Sequence, residues 1–192
     1  MRATRTLPSS LRLIGQCLLL GFFLTPVMAV GQAPDFAETL RLAQEGNAAS
    51  QFNLGWMYDN AEGVPEDDVE AVKWYRRAAD QGLVGAQLNL GLMYATGEGV
   101  PRDDAEAIRW FRLAADQGNA VAQYNLGLMY ATGEGVPINY VTAYAWFNIA
   151  AASGNEKAIS NRSIAEQLMT PSQISEAQQL STEIYERIQQ GN

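Results

Sequence analysis

Two dense acidic clusters hold the side chains of this sequence that are best suited to catalysis. They read DDVE at residues 67–70 and DDAE at residues 103–106. A pair of carboxyl groups can hydrolyse a glycosidic bond when the environment raises the pKa of one of them. In each cluster, however, one Asp and one Glu have the spacing of a capping box, in which they stabilise the start of a helix. We therefore interpret both clusters as helix caps and expect no catalytic residue among them.

The other side chains that commonly carry chemistry are scarce. The sequence contains no histidine and a single cysteine, Cys17. Histidine is the commonest general base and metal ligand, and cysteine is the residue that supplies a thiolate for zinc binding or nucleophilic attack. The repeated GEGVP stretch has closely spaced glycines but lacks the Lys-Ser/Thr pair of a phosphate-binding loop. We therefore expect no enzyme activity, no bound metal and no cofactor.

The first 29 residues have the pattern of a secretory signal. Three arginines precede the apolar run at residues 13–24, and the small residues that a signal peptidase reads end at Ala29. This order predicts a signal peptide at 1–29 with cleavage after Ala29, and a periplasmic or secreted product without stable membrane insertion. The alternatives are that this segment is retained as a membrane anchor or that Cys17 carries a lipid.

Loss of this segment would leave an acidic chain without cysteine. It removes three arginines and no carboxylate, so the formal charge changes from −8 to −11. Binding to nucleic acid requires clustered Lys and Arg, so we expect no nucleic-acid partner. Without disulfides a hydrophobic core must hold the fold, and residues 34–192 are enough for one domain.

A phrase of 13 residues recurs with a fixed period. NLGLMYATGEGVP occurs at 89–101 and again at 125–137, and the related NLGWMYDNAEGVP occurs at 53–65. A period of 36 residues is typical of a solenoid. Apolar residues show helical spacing on both sides of each Gly-Pro turn, which predicts helix–turn–helix units. We therefore expect an all-α, α-α superhelix. Its three full repeats would cover residues 48–83, 84–119 and 120–155.

The sequence also marks where the helices begin and end. Asp67 and Asp103 stand where a second helix starts, and a glycine follows each second helix where a left-handed residue is favoured. Ala61 replaces the first loop glycine of its unit, so we expect the first turn to differ from the others. Residues 35–46 keep the register of a second helix, and 156–190 continue the alternation in degenerate form. Both segments are predicted to be helical caps.

The pattern A-x-x-x-L-G-x-x-Y…G-x-G-V-P-x-D-x-x-x-A-x-x-W-x-x-x-A-A-x-x-G resembles the Sel-one-like repeat, a relative of the tetratricopeptide repeat. The resemblance implies scaffold or adaptor roles. It also implies that the row beside the core stripe of each first helix lines a concave groove. These nine residues, termed the predicted groove residues below, are Phe52, Asn53, Trp56, Leu88, Asn89, Leu92, Tyr124, Asn125 and Leu128.

The function expected from these features is an exported scaffold or adaptor that binds another protein or peptide on its concave face. Acidic residues at the rim favour a basic partner, chiefly through the association rate. For the predicted groove residues the alternative is packing against neighbouring helices. For the whole chain the alternatives are a cell-envelope enzyme or ligand-binding protein related to peptidoglycan, and self-assembly of the repeats end to end.

Overall fold

The structure is a computed structural model that describes residues 35–191. The predicted signal peptide at 1–29 lies outside the described residues. Within residues 35–191 the regular secondary structure is entirely helical, which confirms the predicted fold class. The helices are α1 (Phe36–Gln44), α2 (Ala48–Asp59), α3 (Asp68–Asp80), α4 (Val84–Thr96), α5 (Asp104–Asp116), α6 (Ala120–Thr132), α7 (Tyr140–Ala152), α8 (Glu156–Gln167) and α9 (Pro171–Gly191).

Each repeat is a hairpin of a first and a second helix. The pairs are α2–α3, α4–α5 and α6–α7, and each second helix also packs against the next first helix along the chain. The second helices begin where the sequence predicts, because Asp67, Asp103 and Asn139 accept a hydrogen bond from the backbone N–H three residues further on. Such a cap contributes about 1 kcal/mol to the stability of its helix.

A glycine sets the distance between the two helices of a repeat. In the second repeat a Cβ atom on Gly91 of α4 would lie 2.7 Å from the ring of Phe111 of α5. The other two hairpins repeat this contact. An added Cβ atom would lie 2.7 Å from the Tyr75 ring at Gly55, and 2.5 Å from the Phe147 ring at Gly127. The ring of the second helix therefore rests on the backbone of the first, and no larger residue fits.

Buried glutamines connect one repeat to the next. Gln51, Gln87 and Gln123 each donate from Nε2 to the backbone carbonyl eight residues earlier, at the end of the preceding second helix. All three side chains are buried, at 1–5% exposure. Because a buried amide needs hydrogen-bond partners, these bonds fix the position of each first helix relative to the helix before it.

A second amide completes the link in two of the three repeats. Gln117 Nε2 donates to Gln87 Oε1 at 2.8 Å, and the first repeat has the same bond at 2.7 Å. The third repeat has Ser153 at this position, and the hydroxyl of Ser153 donates to the Ile149 carbonyl instead. Gln123 Oε1 therefore has no partner among the described residues.

The two ends of the array differ from each other. Helix α1 packs on α2 as the expected lone second helix, and α8 occupies the place of a fourth first helix against α7. Helix α9 departs from the repeat, because it packs along α7 and reaches α5 rather than pairing chiefly with α8. Ile184 and Ile188 of α9 enter the main core, and Arg187 pairs with Asp116 at 2.9 Å. The alternation expected for 156–190 thus holds for α8 only.

The first turn follows the same backbone course as the others in spite of its alanine. Ala61 has a φ of 55°, in the left-handed region that Gly97 and Gly133 occupy with φ of 84° and 83°. The difference expected for this turn is small, because α2 ends only one residue earlier within its repeat than α4 does. An L-residue in this region costs roughly 1–2 kcal/mol.

The contact of Gly91 with Phe111 predicts that Gly91→Ala destabilises the protein by about 1–3 kcal/mol, because the added methyl group overpacks a filled site. The free energy of unfolding in urea measures this. The matched control is Gly85→Ala, where the new Cβ would lie 3.3 Å from the edge of the Phe52 ring and should change stability much less. Equal effects of the two substitutions would contradict this account of the hairpin.

The conformation of Ala61 predicts that Ala61→Gly raises the free energy of unfolding by about 1 kcal/mol, since glycine adopts this φ without a steric penalty. The reciprocal substitution Gly97→Ala should lower it by a similar amount. Urea denaturation of both variants beside the unmodified protein checks the pair. A destabilising Ala61→Gly would show that the first turn does not need a left-handed residue.

Candidate functional site

Exposure of the predicted groove residues falls from the first repeat to the third. In the first repeat Phe52, Asn53 and Trp56 are all half-buried. In the second, Asn89 and Leu92 are half-buried and Leu88 is buried. All three residues of the third repeat are buried, with exposures of 7% for Tyr124, 6% for Asn125 and 1% for Leu128.

Helix α8 explains why the third repeat is covered. Asn161 of α8 donates from Nδ2 to the Tyr124 hydroxyl at 3.1 Å. The Tyr124 ring also packs on Phe147, with ring centroids 5.8 Å apart. Leu128 belongs to the same core cluster as Ala158 of α8. In this repeat the predicted groove residues are therefore engaged in packing, which was the alternative to a binding role.

The remaining accessible part of the row lies on α2 and α4. We call it the open face. Its five residues are Phe52, Asn53, Trp56, Asn89 and Leu92.

The aromatic side chains of the open face are held in place by the core. The centroid of the Phe52 ring lies 5.6 Å from that of the Tyr75 ring, and Phe52 packs against the main hydrophobic cluster. Trp56 and Leu92 pack against the main hydrophobic cluster with one side of each residue. These side chains thus keep part of their apolar surface accessible in fixed orientations, so a partner that covers them does not have to order them.

Asp59 is a residue of this region that the sequence analysis did not identify. It lies three residues after Trp56 on α2, and seven after Phe52, so the three share one helical stripe. The Tyr75 hydroxyl donates to Asp59 Oδ2 at 3.0 Å. The side chain of Asn89 lowers the pKa of the Tyr75 hydroxyl, so this residue of the open face lies near the pair. Comparison of the three repeats could have revealed Asp59, because the other two have alanine at this position.

Burial and neighbouring charges act on the Asp59 carboxyl in the same direction. Burial is the main cause that raises the pKa of Asp59 above 3.8, and the carboxylates of Asp68, Glu98 and Glu66 raise it further. The hydrogen bond from Tyr75 opposes this by stabilising the charged form. Burial also raises the pKa of the Tyr75 hydroxyl, so Tyr75 remains a neutral donor.

We call the turn between the two helices of a repeat its joint. The joint of the first repeat, between α2 and α3, carries negative charge that residues 35–191 do not neutralise. Glu66 stands where the next joint has Arg102, which pairs with Asp104 at 2.8 Å and with Glu134 at 3.7 Å. Among residues 35–191, neither Glu66 nor Asp59 takes part in an ion pair. The open face is therefore bordered by an acidic edge at its first joint.

Residues 35–191 also contain buried polar side chains and a pocket away from the open face. The buried polar side chains there are those of Ser, Thr, Asn and Gln, without a carboxylate. A pocket between α7 and α9, which Asn148, Ser181 and Tyr185 help to line, contains no charged side chain. Residues 35–191 contain no group of side chains that could hold a metal ion, and no helix there has the length and apolarity to cross a membrane.

The raised pKa of Asp59 predicts a pH-dependent effect of Asp59→Asn. The native state binds this proton more tightly than the unfolded state, so the contribution of Asp59 to stability falls as pH rises above 3.8 and stays unfavourable at pH 7. The amide removes the charge and keeps an acceptor for Tyr75. We expect Asp59→Asn to unfold at higher urea than the unmodified protein at pH 7, with the difference closing toward pH 4. A difference independent of pH would assign the effect to packing.

Known structures with the same fold include two bacterial proteins. One is a protective antigen present in uropathogenic Escherichia coli strains that displays an SLR fold. It is 37% identical, with a TM-score of 0.73, and the match covers 80% of this chain but 33% of the antigen. The other is a Sel1 repeat protein from Oxalobacter formigenes, 41% identical with a TM-score of 0.62, over 68% of this chain and 98% of that protein. The chain thus spans about one third of the antigen's length.

The family comparison agrees with the period of the sequence. Residues 48–83, 84–119 and 120–155 each match the Sel1 repeat, and together they make up more than half of the chain. The comparison with curated proteins gives no match. Sel1 repeats generally mediate interactions between proteins, and the family is typically a non-enzymatic scaffold. The matched repeats and the helical solenoid together show that this chain belongs to the Sel1 repeat family.

Proposed function

We propose that this protein is an exported adaptor that binds a segment of another protein on the open face of α2 and α4 and catalyses no reaction. The observation that carries this proposal is the partial exposure of two aromatic residues, Phe52 and Trp56. Both residues are fixed against the core and yet keep apolar surface accessible. Apolar surface that stays accessible adds nothing to the stability of the chain's own fold.

Anchored aromatic rings suit recognition for a thermodynamic reason. Binding energy at protein interfaces is concentrated in a few large side chains, with Trp prominent among them. A side chain that is already ordered loses little rotamer freedom when a partner covers it. The half-buried amides of Asn53 and Asn89 belong to the same two helices and can hydrogen-bond to the backbone of a bound segment. The open face therefore offers apolar contact and backbone recognition together.

The proposed location follows from the N-terminal segment. Arginines followed by an apolar run and small residues are typical of a secretory signal, and this pattern supports export to the periplasm or the outside of the cell. A partner would then be another envelope or extracellular protein. The peptidoglycan-related enzyme gains no support from residues 35–191, where no carboxylate is fully buried.

The test is a comparison of partner capture by two variants. Phe52→Ala/Trp56→Ala removes the anchors, and we expect it to weaken binding of an envelope protein at least tenfold while circular dichroism shows unchanged helicity. The matched control is Leu113→Ala, which removes an apolar side chain of α5 that is 40% exposed. The control should bind as the unmodified protein does. Equal retention by all three proteins would exclude the open face as the binding surface.

A further inference from the structure

The first repeat contains a polar pair that the other repeats do without. Asp59 and Tyr75 of the first repeat correspond to Ala95 and Phe111 of the second, and the third again has alanine and phenylalanine. The aromatic ring rests on a glycine of the first helix in all three repeats. Since the other two hairpins form the same contact without the carboxyl group or the hydroxyl group, the Asp59–Tyr75 pair is not required for it.

This pair is costly where it lies. Burial raises the pKa of Asp59, which means that the folded protein disfavours the charged carboxylate. The groups that face this carboxylate are Tyr75 and Asp68 of α3, Glu66 of the first joint and Glu98 of the joint after α4. Three of these four are negative, and none is a cation. A feature that the fold does not need and that costs stability is best explained by an interaction outside the chain.

The geometry leaves room for such an interaction. Among the described residues Asp59 receives one side-chain hydrogen bond, at Oδ2, and a carboxylate has roughly four acceptor positions. Asp59 is half-buried and lies on the stripe of Phe52 and Trp56. The unneutralised charge at the first joint makes a cation the group that this position would attract most strongly.

We propose that the partner of the open face places a lysine or arginine side chain against Asp59 while its apolar side chains cover Phe52 and Trp56. The inference rests on the proposed function and specifies the chemistry of the partner. At the second joint Arg102 replaces Glu66 and pairs with Asp104, and alanine replaces Asp59, so this joint offers no equivalent position. The cationic side chain of the partner is thus recognised at the first joint only.

The helix geometry sets the spacing that the partner needs. Phe52 and Asp59 are seven residues apart on one helix, a distance of about 10 Å along its axis. An extended segment advances about 3.3 Å per residue, so it would cross this distance in about three residues. The partner segment should therefore carry its cation about two to four residues from an apolar side chain.

The experiment uses a panel of acetylated and amidated nonapeptides. Each peptide has a Phe-Leu pair two to four residues from a test position that holds Lys, Arg, Gln or Glu. We expect the unmodified protein to bind the best Lys or Arg peptide at least tenfold more tightly than its Gln counterpart by isothermal titration calorimetry. The preference should weaken at a pH low enough to protonate Asp59, since only the carboxylate attracts the cation.

Variants separate this inference from the proposed function. Asp59→Ala/Tyr75→Phe reproduces the pair found in the second repeat, so the hairpin should form, and it should bind Lys and Gln peptides equally. Glu176→Ala on α9 removes the same charge elsewhere and should keep the preference. Phe52→Ala/Trp56→Ala should bind no peptide.

Three results would overturn the inference. The first is equal binding of Lys, Arg and Gln peptides by the unmodified protein, which would leave the adaptor function standing. The second is a preference that survives in Asp59→Ala/Tyr75→Phe. The third is an absence of binding to every peptide, because the inference holds that a short basic and apolar segment is sufficient.

Discussion

The contact between a glycine of one helix and an aromatic ring of the next determines the shape of every repeat. Gly91 brings α4 so close to Phe111 that no Cβ atom fits between them. This contact gives the two helices of every hairpin the same separation. The buried stripe of each first helix and the row beside it therefore recur with the period of the sequence. Surface residues could vary between repeats without disturbing this arrangement. The substitution of Asp59 and Tyr75 in the first repeat shows such variation on an unchanged backbone.

The links between repeats are more specific than hydrophobic packing alone. The buried amide of Gln87 donates to the preceding second helix and accepts from Gln117 of the following one, so it orients both neighbours. Apolar contacts tolerate small rotations of a helix, whereas a buried amide requires its partners in fixed directions. The third link lacks its second amide, and there α9 packs along α7 and α5 and covers the end of the array.

Most of the fold could be predicted from the sequence because the same local features occur in all three repeats. The period, the capping side chains and the glycines define the helices without knowledge of distant contacts. The candidate site was less predictable. The burial of Tyr124 and Leu128 depends on α8, and the position of α9 depends on packing of Ile184 and Ile188 that no periodic pattern reveals. Asp59 could not be recognised from the repeat pattern, because it is a residue in which the first repeat differs from the other two.

The covering of the third repeat by α8 has a consequence for stoichiometry. Three nearly identical units would suggest a multivalent array, in which neighbouring partners or a long segment bind side by side. Among the helices of the three repeats in residues 35–191, α2 and α4 retain an open face, and Asp59 has no counterpart in the other two repeats. Under the proposed function, the described residues would form a monovalent receptor, with an open face on α2 and α4 and a covered third repeat. In an assembly it would terminate a chain of contacts and would not bridge two partners through the same row of helices.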